Sequence, residues 1–261
     1  MKRKRRNPKV QRSAPPHPSA APKRSLARIS YIDPAKLVTD ESDKVGLFFL
    51  MLSVVFNDIR DLAELALYVQ KCGKSKAGSA RLEQYDLRGR HIMLHRFIAG
   101  TLHELMKLIY KERSVLEMLE FKEVAARLPA EALSLWDEIV GIALAPDNEA
   151  NISSATKRTL VSVRNSTSFH YYALNSLAKG WEPFRKSGQM APYSMGSSAP
   201  ETRFYYADAV LIQMMEDNAN RFLRPTVDPP FDRLFLEVMY KANQALAPLL
   251  RLFLEKRAAA T

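Results

Sequence analysis

Cysteine is almost missing from this chain, with Cys72 the single example in 261 residues. One thiol excludes a disulfide framework and any zinc site built from several cysteines, and it points to a reducing, cytosolic setting. Glycine is scarce as well, at nine residues. That scarcity counts against a turn-rich β-sandwich and against a doubly wound fold with glycine-rich loops. No Walker-type phosphate loop and no dinucleotide-binding glycine fingerprint occurs. The strongly apolar stretch from Val45 to Phe56 has only twelve residues, short of the roughly 20 that a bilayer-spanning helix needs. No segment alternates apolar and polar residues with the β-branched richness of a strand. The remaining composition, 47% hydrophobic and 26% charged, belongs to a globular chain. These absences leave an all-α, soluble, cytoplasmic protein without a membrane span as the expectation.

What is present is unevenly placed. Residues 1–32 carry ten basic side chains and no acidic one. With those ten removed from the 39 basic residues, 29 stand against 28 acidic ones, so the net charge of +11 describes an arm and not a basic fold. The arm also holds five of the fifteen prolines. It lacks apolar periodicity and cannot bury enough surface to offset its ordering entropy, so residues 1–30 read as a disordered tail. It has no apolar core of the kind a secretory signal requires. A phosphate-backbone contact or a nuclear address is chemically open to it, as is the role of a plain solvated arm. The folded domain then spans residues 31–261.

Apolar periodicity predicts about seven helices in that domain. The first runs from about Asp43 to Lys71, capped by Asp40, Ser42 or Asp43. Its first half is apolar all round, which implies burial on several sides, a second subunit among them. A loop from Gly73 to Ala80 leads to a helix over Arg81–Lys111. Segments near Ser114–Leu128 and Ala130–Ala143 follow, divided by Pro129. After the turn at Pro146–Asn148 comes a helix capped by Ser153 or Ser154. One face of it is marked by Ile152, Ala155, Thr159, Val163, Thr167, His170, Leu174 and Leu177. A long Gly, Pro and Ser-rich loop, Ser187–Pro200, precedes helices near Glu201–Phe222 and Phe231–Lys256. Trp136 and Trp181 read as core or interface residues. Pairs such as Asp58 with Asp61, or Glu117 with Glu120, fall on solvated faces and read as surface charge.

The strongest chemical signal lies between Val163 and Tyr172, where Arg164 and Asn165 precede His170 with four residues between Asn165 and His170. Phosphodiester cleavage in RNA wants such a trio. An imidazole near its ordinary pKa moves a proton at neutral pH. A guanidinium holds the phosphate and stabilises charge developing on its oxygens. An amide orients the imidazole or the ribose hydroxyl without titrating. On a straight helix, six residues give about 9 Å of rise and end roughly 120° round the axis, so one chain does not aim Arg164 and His170 at one point. Two such helices across a twofold axis would pool both pairs in one cleft. Val163, Thr167 and Leu174 are expected to flank that interface, which would bury on the order of 1,200–2,000 Å².

Arg-Asn, four residues and His inside an all-α chain resembles the HEPN superfamily. The resemblance implies a helical bundle that dimerises through the motif helix, with the segments after Gly180 as additional C-terminal helices. It implies metal-independent endoribonuclease activity, leaving a 2′,3′-cyclic phosphate, in a toxin–antitoxin or phage-defence role. Arg164 and His170 would be catalytic and Asn165 supporting, with no metal and no cofactor. Lys157 and Arg158, one to two turns earlier, are placed to guide an RNA backbone, or simply to face solvent. Partners implied are RNA, a second copy of the chain and, in a toxin pair, an antitoxin or nucleotidyltransferase. The alternative is a non-catalytic helical dimerisation or interaction module. A second constellation, His91, His95, His103 and Glu104, has one zinc-like i,i+4 pair but no HExxH pattern, and packing or surface roles are favoured for it.

Overall fold

In a computed structural model the structure describes residues 32–75, 81–167, 181–182, 185–186, 193 and 204–259, and these fold as a set of helices packed side by side. The expected residues His170, Leu174 and Leu177, the loop Ser187–Pro200 apart from Tyr193, and the basic arm lie outside them. Among the described residues all regular structure is helical. In chain order the helices are α1 (Pro34–Leu37), α2 (Lys44–Ser75), α3 (Arg81–Lys111), α4 (Leu119–Ala125), α5 (Ala130–Leu144), α6 (Ile152–Thr167), α7 (Tyr205–Asn220) and α8 (Phe231–Ala259), with a 3-10 turn at Val115–Glu117 before α4. No helix among the described residues is long and apolar enough to cross a membrane.

Local chemistry sets the boundaries. Asp43 is the cap of α2, its carboxylate accepting the Gly46 N–H at 2.8 Å, while Asp40 instead closes its own turn by accepting the Ser42 N–H. The helix runs past Cys72 and Gly73 to Ser75. Asn151, and neither Ser153 nor Ser154, caps α6: its side-chain oxygen accepts the Ser154 N–H at 2.8 Å. Pro129 ends one segment and opens α5, accepting the Leu133 N–H through its carbonyl.

Helix α3 is the centre of the stack and packs against α2, α5, α6, α7 and α8. Its buried residues Ile92, His95, Ile98, Leu102, Leu105 and Ile109 recur at three- and four-residue spacing, the stripe that lets one helix serve several neighbours. Helix α8 crosses α1 to α5 in the same way. Where α2, α4, α5 and α8 converge, an aromatic cluster fills the core. Phe49 and Phe253 stack at 3.9 Å, and Phe121 sits 5.7 Å from Phe49 and 5.9 Å from Trp136. Trp136 is thus a core residue, as its sequence context suggested.

Two expectations change. Glu120 is not surface charge: it faces inward and meets Arg257, whose Nε lies 2.8 Å from Glu120 Oε1. The same guanidinium donates to both Asp43 oxygens at 2.9 and 3.0 Å, so the end of α8 is clamped to the start of α2. Val163, expected beside a twofold interface, is wholly buried in this chain's own core, because α6 uses that face to pack on α3. The first half of α2 is covered on one side only. Phe48, Phe49 and Leu52 are buried, whereas Leu50, Met51 and Val54 stay exposed.

Candidate functional site

Burying Val163 has a consequence for the residue after it. One step along a helix turns the chain by about 100°, so Arg164 emerges at the rim of the α3–α6 contact, just over a third exposed. There its Nη1 donates to Asn165 Oδ1 at 3.1 Å, and its Nη2 lies 3.7 Å from Glu104 Oε1. Glu104 and His103 follow the buried Leu102 on α3 and emerge at the same rim. His103 Nδ1 is 3.3 Å from that same Oε1 of Glu104. One carboxylate oxygen therefore faces an imidazole and a guanidinium together. Lys107 adds a further cation, 3.5 Å from Glu104 Oε2.

The carboxylate decides the tautomer of the ring. A carboxylate only accepts, so Nδ1 carries the proton and Nε2 presents its lone pair. Burial pushes the His103 imidazole below its ordinary pKa; Glu104 pulls it up, and the charges of Arg164 and Lys107 push it down again, with a net lowering. His103 is thus neutral at neutral pH and able to take a proton. Its ring lines a cavity of about 260 Å³ with Tyr110, Lys107, Lys157 and Asp147 around it. A carboxylate that orients an imidazole beside a guanidinium is an arrangement suited to proton transfer next to a bound anion.

Lys157 lines this cavity and Arg158 follows it on α6, and both reach back to the turn before that helix. Lys157 Nζ donates to the Ala145 carbonyl at 2.8 Å, pairs with Asp147 at 3.1 Å and sits 5.3 Å over the Tyr110 ring. Arg158 donates to the Asp147 and Glu149 carbonyls and lies over the Phe222 ring. Both hold the turn between α5 and α6 in place, and Lys157 at the same time forms a wall of the cavity. Arg164 and Asn165 are brought together, and His170 lies outside the described residues. His103 and Glu104 are neighbours of Arg164 to which the sequence reading gave packing or surface roles. They sit far from Arg164 along the chain, and only the packing of α3 on α6 joins them.

The other histidine pair stands elsewhere. His91 and His95 rings are 4.2 Å apart, and His95 Nδ1 lies 2.8 Å from the His91 carbonyl. Among the described residues no group of three or more His, Cys, Asp or Glu side chains is placed to hold a metal ion. No family model, no curated protein and no solved structure matches this chain.

Proposed function

We propose that the chain is a metal-independent endoribonuclease of HEPN type, working as a homodimer in a toxin–antitoxin or phage-defence role. The observation that carries this reading is the meeting of Arg164, Asn165, Glu104 and His103 on one open rim of the α3–α6 contact. The reaction that fits is attack of a ribose 2′-hydroxyl on the adjacent phosphorus. The bond from phosphorus to the 5′-oxygen breaks, leaving a 2′,3′-cyclic phosphate and a 5′-hydroxyl. An imidazole takes the proton of the 2′-hydroxyl, and the imidazolium so formed, or solvent, gives one to the departing 5′-oxygen. Arg164 stabilises the charge on the non-bridging oxygens, and Asn165 holds its guanidinium in place. His170 is the proton-transfer group that the motif implies, and His103 supplies a neutral imidazole beside Arg164.

The experiment is RNA cleavage by the purified full chain in EDTA, with Arg164→Ala and His170→Ala alongside. Activity in EDTA that both substitutions abolish, with the helical signal retained, supports the assignment. Activity unchanged in His170→Ala but lost in His103→Ala removes the HEPN assignment and leaves a ribonuclease of another kind.

A second reading, a non-catalytic dimerisation or interaction module, is favoured by the outward face of α2. Leu50, Met51 and Val54 lie within one turn and are 41%, 42% and 59% exposed, a cluster that water disfavours. Light scattering that finds a dimer, together with RNA left intact by the wild-type chain, would select this reading.

A further inference from the structure

Away from Arg164, a cavity of about 490 Å³ is bounded by α3, α7 and the start of α8. Its floor is apolar, from Ile92, Met215, Leu223 and Phe231, and its polar groups are His91, His95, Glu216, Asp232 and Arg88. This volume and this mixture, an apolar body with a few convergent polar groups, suit a small organic molecule.

The polar groups also say which kind. His95 is 3% exposed, and its Nδ1 faces the His91 carbonyl at 2.8 Å. A carbonyl only accepts, so Nδ1 holds the proton and Nε2 is a lone-pair acceptor. That Nε2 is buried without a partner. Glu216 and Asp232 add two carboxylates, against one guanidinium from Arg88. Asp228 is already neutralised by Arg224, whose Nε and Nη2 reach its two oxygens at 3.3 and 3.2 Å. The charge imbalance registers on Glu216. Burial raises its pKa; Arg88 opposes this, and Asp217 and Asp232 add to it, so the net shift is upward. With two carboxylates and the unpartnered lone pair of His95 Nε2 against the single Arg88 guanidinium, the site is left with negative charge in excess.

We propose that this cavity binds a small organic cation, an amine or amidine carried on an apolar body, with the charged end at Glu216 and Asp232 and the apolar end on Met215, Leu223 and Phe231. A protonated nitrogen supplies the positive charge that Arg88 alone does not match, and the apolar body fills the floor. The site is separate from the Arg164 rim, and its existence does not depend on the chain being a ribonuclease.

Isothermal titration calorimetry of the full chain at neutral pH and low salt tests this, with 2-phenylethylamine, benzamidine and benzoate as probes. The amine and the amidine should bind and benzoate should not. Glu216→Gln and Asp232→Asn should each weaken the amine about tenfold. Both positions are at the cavity rim, and the variants' thermal melts report whether the fold is kept. Benzoate binding as tightly as the amine, none of the three probes binding below about 1 mM, or an amine affinity unchanged in a folded Glu216→Gln chain would each overturn the proposal.

Discussion

Replacing Arg257 with Met should be among the most damaging single changes in this chain. The guanidinium is 10% exposed and Asp43 8% exposed, with Glu120 at 30% completing the cluster. Methionine preserves much of the stem's volume but leaves two largely desolvated carboxylates side by side. Removing one partner from a buried charge cluster costs about 3–5 kcal/mol, because the remaining charge is stranded. At about 2–4 °C per kcal/mol for a domain of this size, the melting temperature should fall by roughly 6–20 °C. Circular dichroism melts and guanidinium titrations measure it. The loss should depend on pH in a definite sense. Burial pushes the Asp43 carboxyl up, but the bonds from Arg257, Gly46 and Thr39 outweigh this and hold it below its ordinary value. A depressed carboxylate contributes stability that is full above the unfolded pKa and is lost as pH falls through the folded one. The gap between wild type and Arg257→Met should therefore be widest near neutrality and shrink in acid below about pH 4. A fall of less than 2 °C at pH 7, or a gap that widens in acid, would refute the argument.

Three further outcomes are expected. Gly46→Ala should destabilise by about 1–3 kcal/mol in urea titrations, because a Cβ there would stand 2.5 Å from Asp43 Oδ2 and 2.8 Å from the Leu37 carbonyl; a gain in stability would show that the cap can shift. In an RNA-cleavage assay, His103→Ala should lower the rate by about 10²–10⁴-fold, and Glu104→Gln should move the acidic limb of the pH profile to lower pH, since Glu104 pulls the His103 pKa up; a limb that stays in place or moves upward argues against His103 as the base. Leu50→Glu combined with Val54→Glu should shift the light-scattering mass from dimer to monomer with the melt unchanged, the two side chains being exposed within the single chain; a dimer that survives places the interface elsewhere.

Helix positions were largely legible in the sequence because their causes are local. Apolar spacing gave the full extent of α3, and Pro129 and the capping Asp43 marked real boundaries. Local reading failed where several local partners competed. Asn151 caps α6 although two serines stand close by, since the choice rests on which side chain reaches the free N–H. The motif at Arg164 and Asn165 was likewise visible, being contiguous, and the two side chains do meet.

Sequence by itself determined the helical class, the stripes that each helix buries, and the candidacy of Arg164 and Asn165, because backbone hydrogen bonding and a 3.6-residue period are properties of neighbours along the chain. Tertiary structure alone decided which stripe meets which. It turned Glu120 from surface charge into the partner of Arg257, placed Val163 in the core, put His103 and Glu104 beside Arg164, and opened the cavity lined by His95 and Glu216. Each of these depends on the axial register and rotation of two helices against one another. That register is set by how side chains from distant segments interdigitate, and no spacing within either segment encodes it.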